Sequence, residues 1–578
     1  MNKFKIITIF ILNFVFFSII FTSVPAKNTD RLYKGSDISD YFSGILSIYD
    51  NNYKNSYNYL KRLDGLEENH YTYSRAYLNS LINLNKFNEA FLYAKKLEKK
   101  KINNFESDLI IGVFYLKKKK YELAQKYFTK IQENQSQDSL QKLIAESLLN
   151  WIQFDKVNSE DALILIKSLD PRYENIKKIQ IAFANCFYDE RNTINSFKKL
   201  LSDTNVNYSR YNFFLANYLI SKNKKEESIE IVSQSLKKTP RNLILNQLKI
   251  DINAEKKINY QNKFNCKNLS HVMAEMFYIL ANAISVQSVY SVSNFYLNLA
   301  KFLNPDFISY ETLLAENFYA INNFKKAKSI YSKIKLNGSA YNWYSAQKIT
   351  SIMLKEKKID QAMEYLRKNY ESINGPNLYQ MFDYAKFLKN NDNFIEAIKY
   401  YSLILKKIDS NHDLYQNVTD GRGVAYERIG SWNKAEKDFL NSLEANPNQA
   451  YVINYLAYSW IEKGKNINKS LEMLKKANEL KKNDGFIIDS LGWALFKLKR
   501  FKEAEKYLQD AVKLMPSDPI VNDHYGDSLW MSGKKMQARY YWNYVLNLEK
   551  TEDELKIDIL ELEKKSEYER GLLEAKKE

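Results

Sequence analysis

Groups able to move protons or hold a metal are few in this chain and far apart. The histidines are His70, His271, His412 and His524, and only His524 stands in a cluster of acids, with Asp523 and Asp527. On a helix, Asp523 and Asp527 share a face four residues apart, and His524 points elsewhere. An acid pair alone is a poor basis for proton transfer. No HExxH, CxxC or GxSxG spacing and no phosphate-cradling glycine loop occurs in the chain. The expectation is a non-enzyme with no catalytic residue, no metal and no cofactor.

Binding chemistry is better represented. "DSLGW" (Asp489–Trp493) returns, loosened, as "DHYGD" (Asp523–Asp527), 34 residues later. Aligned on the glycine, the position three before reads Asp420, Asn454, Asp489, Asp523 in four successive stretches. The position one after reads Val424, Tyr458, Trp493, Asp527, and the position four after reads Glu427, Ile461, Phe496, Trp530. Carboxylates beside aromatics on an open face suit the capture of a peptide or a helix. The candidate partner-binding groove is therefore Asp420, Arg428, Asn454, Tyr458, Asp489, Trp493, Phe496, Asp523, Asp527 and Trp530. Two structural roles compete with this one: helix capping by the Asp residues, for which Asp484 is better placed than Asp489, and packing of Trp493 and Trp530 between units. The Asp row would repel a carboxylate, partly offset by Arg428 and Lys497. A basic or mixed partner segment fits it better than an acidic terminus.

The elements that position these columns follow from a period. Small residues recur at Ser56, Ala90, Ala124, Ala162, Ser196, Ser228, Ser293, Ala327, Ala362, Ala397, Ala435, Ser470, Ala504 and Ala538. The steps are 34, 34, 38, 34, 32, 65, 34, 35, 35, 38, 35, 34 and 34. Twelve residues before this column a second small residue often stands, as at Gly44, Gly112, Gly423, Gly492 and Gly526. Four after it comes a large one, as at Leu60, Phe128, Phe439, Leu508 and Trp542. Paired antiparallel helices approach closely only where small residues face each other, and large neighbours then fill the gaps. With 15 Gly and 8 Pro in 578 residues, turn punctuation is too sparse for an all-β chain.

The columns resemble the tetratricopeptide (TPR) repeat, L-G-x2-Y…A-x3-F…P at 34 residues. That resemblance implies an all-α TPR α-solenoid of about 14–15 helix pairs with a C-terminal capping helix. The expected divisions are 1–26 as leader or anchor, 37–240 as a first array, 241–275 as a degenerate repeat or interruption, 276–550 as a second array, and 551–578 as capping helix and charged tail.

The N-terminus carries Lys3 and Lys5, an apolar run from Ile6 to Thr22, and small residues around Ala26. It reads as a signal peptide or, uncleaved, as a membrane anchor. The rest of the chain is then expected in the periplasm. The net charge of +18 comes from Lys interleaved with acids, without an Arg-rich tract, so no nucleic-acid partner is expected. Cys186 and Cys266 read as two small buried residues or, in an oxidising compartment, as a bridge.

The stretches "RGVAYERIGSWNKAEKDF" (Arg422–Phe439), "NYLAYSW" (Asn454–Trp460), "DSLGWALF" (Asp489–Phe496) and "DHYGDSLW" (Asp523–Trp530) resemble a family of exported alphaproteobacterial TPR proteins. More distantly, they are similar to TPR adaptor lipoproteins of carboxyl-terminal processing proteases. The resemblance implies a scaffold or adaptor with protein partners, a periplasmic protease or a cell-wall enzyme among them. The alternative is a membrane-anchored assembly factor of the cell envelope. No lipobox Cys follows the apolar run, which departs from the lipoprotein pattern.

Overall fold

The computed structural model describes residues 34–548 apart from 64, 69, 134–138, 204–205 and 255–261. The expected leader or anchor at 1–26 and the expected capping helix and tail at 551–578 lie outside those residues. The chain divides into two compact units, Met1–Asn369 and Tyr370–Glu578.

Helices follow one another in pairs. The first unit begins with α1 (Gly35–Tyr49), α2 (Tyr53–Leu60), α3 (Tyr71–Asn83), α4 (Phe87–Lys99), α5 (Phe105–Lys117) and α6 (Tyr121–Glu133). It continues with α7 (Ser139–Gln153), α8 (Ser159–Lys167), α9 (Glu174–Tyr188), α10 (Thr193–Leu201), α11 (Tyr211–Ser221) and α12 (Lys225–Lys238). After these come α13 (Leu243–Asn253), α14 (Leu269–Val286), α15 (Tyr290–Leu303), α16 (Ser309–Ala320), α17 (Phe324–Ile334), α18 (Ser339–Lys355) and α19 (Ile359–Glu371). The division between the units falls within α19. The second unit adds α20 (Leu378–Asn390), α21 (Phe394–Leu405), α22 (Tyr415–Arg428), α23 (Trp432–Ala445) and α24 (Ala450–Glu462). It ends, among the described residues, with α25 (Ile467–Leu480), α26 (Gly485–Lys497), α27 (Phe501–Leu514), α28 (Pro519–Met531) and α29 (Lys535–Leu546). Among the described residues this makes fourteen consecutive pairs and one unpaired helix, α13.

The small-residue column sits where the helices of a pair meet. Each of its residues is fully buried except Ser196. In α10 the buried slots belong to Thr193 and Phe197 instead, so the register there starts three residues earlier than Ser196 implied. The facing glycines leave no room for a side chain. A Cβ on Gly423 would lie 2.7 Å from the Phe439 ring, one on Gly492 2.6 Å from Leu508, and one on Gly526 2.6 Å from Trp542. The large residues of the column four further on fill the space the glycines leave.

The first unit does not run as a plain stack. Its α13 packs on α12 and on α18, while α15 turns back onto α3 and α5. There Phe302 stacks on Phe87 at 4.2 Å, Asn298 Nδ2 donates to Asn83 Oδ1 at 3.0 Å, and Lys117 Nζ donates to the Leu303 carbonyl at 2.9 Å. A clamp ties the start of α11 to α14 and α16: Arg210 makes two hydrogen bonds to fully buried Glu275, at 2.7 and 2.9 Å, and a third to Ser309 Oγ.

The segment before α14 is a strap. Cys266 pairs with Cys186 of α9, with Cα atoms 5.9 Å apart, within the usual range for a disulfide. Asn217 Nδ2 donates to the Phe264 carbonyl, Asn304 Nδ2 to that of Lys263, and the Asn265 amide donates to His271 Nδ1. Burial and the nearby Lys117 charge push the His271 imidazole down to about 4, which keeps it neutral and able to accept. The apolar 18-residue α14 is long enough to cross a membrane, but 56% of it is buried inside its own unit.

Candidate partner-binding surface

The sequence columns fall on α22, α24, α26 and α28, the first helices of four successive pairs. Local signals set where these helices begin. Asp484 caps α26 by accepting the Ile487 amide, and Asp518 caps α28, which starts at Pro519. Asp489 and Asp523 are therefore free of capping duty and lie a turn inside their helices.

Asp489 is buried, and its carboxylate meets His524 Nδ1 at 3.0 Å from both oxygens. The sequence reading turned His524 away from the acids; packing between α26 and α28 instead puts it at their centre. Its ring stacks on Trp493 at 3.9 Å and 10°, and Trp493 stacks on Phe496 at 4.7 Å and 6°. The Tyr458 ring comes within 6.5 Å on the other side. Burial alone would lower the His524 pKa. The Asp489 carboxylate outweighs it, helped by Asp523 and Asp527, and the imidazole is held above its ordinary value.

The remaining predicted residues are placed more loosely. Asp420 is half-buried, and burial raises its pKa against a modest pull from Lys389. Arg428 is exposed, 3.7 Å from Glu427. The Asn454 amide oxygen is buried without a donor. Trp530 leans on Trp542 at 5.5 Å, with Lys535 and Arg539 over its ring.

Two residues that matter here, His524 and Glu462, were missed. His524 lies one position beyond the Asp column, so an alignment on columns passes over it. Glu462 accepts the Trp493 indole N–H at 2.6 Å. The same link recurs along the row: Tyr455 donates to Glu427 at 2.9 Å and Trp460 to Glu436 at 2.5 Å. Arg422 makes two hydrogen bonds to buried Asp438, at 2.7 and 2.8 Å, joining α22 to α23. The motif "RGVAYERIGSWNKAEKDF" thus supplies the acceptors and the ion pair that tie neighbouring helices. Much of its specificity is structural.

Residues 320–551 match a tetratricopeptide repeat family model, and residues 109–138 match a second one. A TPR repeat-containing protein of Pseudomonas aeruginosa is 27% identical over 178 residues, covering 31% of this chain and 29% of that one. The aligned part is thus under a third of that relative's length. A TPR repeat-containing protein of Methanocaldococcus jannaschii is 24% identical over 475 residues, covering 79% of this chain and 72% of that one. Among solved structures, MamA from Desulfovibrio magneticus RS-1 is 18% identical with a TM-score of 0.27, covering 31% of this chain and 98% of that chain. YrrB, described as a TPR protein with an unusual peptide-binding site, is 16% identical with a TM-score of 0.27, covering 32% and 93%. Residues 109–138 and 320–551 are tetratricopeptide repeats, and the helix pairs around them make the chain an all-α tetratricopeptide solenoid.

Proposed function

We propose that the protein is a non-enzymatic scaffold or adaptor that holds a protein partner along α22, α24, α26 and α28. One observation carries this reading. In the first unit the chain's own α15 lies across α3 and α5, whereas no further helix of the described second unit packs across its row as α15 does. The second row is lined by Tyr458, Phe496 and Trp530, partly exposed large side chains with fixed partners, with buried Trp493 packed behind Phe496. Such preorganised aromatics lose little entropy when a segment settles on them.

We place the protein in the periplasm, with a protease or a cell-wall enzyme as its partner class. The leader-like N-terminus and the Cys186–Cys266 pairing support export, since disulfides persist in oxidising compartments. The length of the apolar run Ile6–Thr22 favours a second reading, an assembly factor that keeps its N-terminus as an anchor.

The test is co-purification from cells with the full chain, Arg428→Ala/Trp530→Ala and Asp489→Ala/Trp493→Ala. Loss of the same partners in both variants, with helix content unchanged, supports the row. Unchanged partners in the first variant would remove it. N-terminal sequencing of the mature protein separates cleavage from anchoring.

A further inference from the structure

The positive charge of the second unit is not spread evenly. Its helix pairs have two edges, one holding the turns within pairs and the other holding the turns between pairs. The within-pair turns of its last four pairs lie at 427–437, 462–469, 497–505 and 531–539. Together they hold thirteen Lys and Arg against five Glu. The between-pair turns at 443–451, 478–486 and 512–520 hold three basic residues against four acidic ones. Interleaved lysines that look like compositional drift in the sequence are thus sorted onto one edge by the fold.

The acids on the basic edge are already engaged. Glu427 accepts from Tyr455, Glu436 from Trp460 and Glu462 from Trp493, while Glu503 pairs with Arg500 and Glu505 with Lys534. The cations are held in turn. Each of four successive pairs presents a Trp with a cation over its ring. Lys463 lies 5.0 Å from Trp432, Lys469 5.2 Å from Trp460, Lys497 4.7 Å from Trp493, and Lys535 5.3 Å from Trp530. Most of these cations face solvent, as do Arg428, Lys465, Lys499, Lys502, Lys534 and Arg539.

We infer that this edge receives an acidic, extended segment of a partner protein. The inference deepens the scaffold reading and rests on it, but it reverses the charge expected from the Asp columns. Asp489 is buried against His524, and most of the charged side chains that face solvent along this edge are basic. The cations form a single row of clusters, about 10 Å apart for packed helices, which every third residue of an extended chain matches at about 3.3 Å per residue. A linear ligand fits that row better than a flat membrane. Two of the four Trp rings are closed to a bilayer or to stacked bases, because Trp460 and Trp493 are 2% and 8% exposed and lie under cations.

The test is fluorescence anisotropy with the full chain. The probe is a fluorescein-labelled extended peptide carrying Glu at every third position, with a Lys peptide of the same spacing as control. Three chains are compared: the parent, Arg428→Glu/Lys463→Glu/Lys497→Glu on the basic edge, and Lys476→Glu/Lys481→Glu/Lys513→Glu on the other. Equal thermal midpoints establish that the variants fold. If a midpoint falls, Lys465→Glu/Lys499→Glu/Lys502→Glu replaces the first variant. The expected result is tight binding of the Glu peptide alone, weakened roughly tenfold or more by the basic-edge variant and by salt, and less than twofold by the other. Equal loss in both variants would reduce the effect to net charge and overturn the proposal. So would edge-dependent binding of anionic vesicles or of an oligonucleotide more tightly than the peptide. Failure of the row is read separately. If Tyr458→Ala/Phe496→Ala, which leaves the edge cations in place, keeps its cellular partners while the basic-edge variant loses them, the edge stands and the row falls.

Discussion

His524 shows how a side chain outside the repeat columns becomes the hub of a packed cluster. Folded, it keeps its proton to a higher pH than a free histidine near 6.5, because Asp489 faces it in a buried place. A group whose folded pKa is raised gives its full stabilisation below the unfolded value and loses it as pH rises through the folded one. The thermal midpoint of the second unit should therefore fall as pH climbs above about 6.5, and His524→Gln should flatten that slope. Trp493 emission, read across the same range, should follow the titration, since the two rings stack. His271 has the opposite sign. Its pKa is depressed to about 4, so its contribution is complete above about 6.5 and is lost as pH falls toward 4. Acid should loosen the strap of the first unit, and His271→Phe should remove that acid step while costing the hydrogen bond to Asn265. Breaking the Arg422–Asp438 pair from one side leaves a charge stranded. Asp438→Ala should cost about 3 kcal/mol in chemical denaturation, more than the paired change to apolar residues.

Each helix was legible wherever small and large residues alternated at the repeat spacing. Gly423, Gly492 and Gly526 announce their pairs because no Cβ fits against Phe439, Leu508 or Trp542. Substituting Ala at Gly492 should lower the thermal midpoint by several degrees, as Leu508 must move. The slip at Ser196 has a physical source. Thr193 and Ser196 are both small and lie a helical turn apart, and the turn before α10 has four residues where those before α4, α6 and α12 have three. Spacing could place Asp489, Trp493 and Phe496 on one helix, but it could not say that Asp489 would meet the His524 ring of the next pair. That depends on which way His524 turns, and this is decided by packing between α26 and α28. The strap was out of reach for a related reason: Cys186 and Cys266 are 80 residues apart, and nothing local brings them together. Cys186→Ser/Cys266→Ser should lower the stability of the first unit by about 3 kcal/mol, given the long loop that the bridge closes.

At the scale of the whole molecule, the two units are stabilised by different means. The first holds long-range contacts through the strap, the Arg210–Glu275 clamp and the return of α15; the second relies on neighbour-to-neighbour links such as Trp493 to Glu462. Calorimetry under reducing conditions should shift the part of the transition that Cys186→Ser/Cys266→Ser also shifts, and leave untouched the part moved by His524→Gln. A repeat array usually completes itself from one end as it is made, since each unit needs only its neighbour. The return of α15 denies the first unit that convenience. Phe87 and Asn83 wait for Phe302 and Asn298, each more than two hundred residues downstream. Until that stretch has been synthesised, the opening helices stand with an apolar flank bare, and this is the interval in which a growing chain most needs a holding chaperone or a slow ribosome.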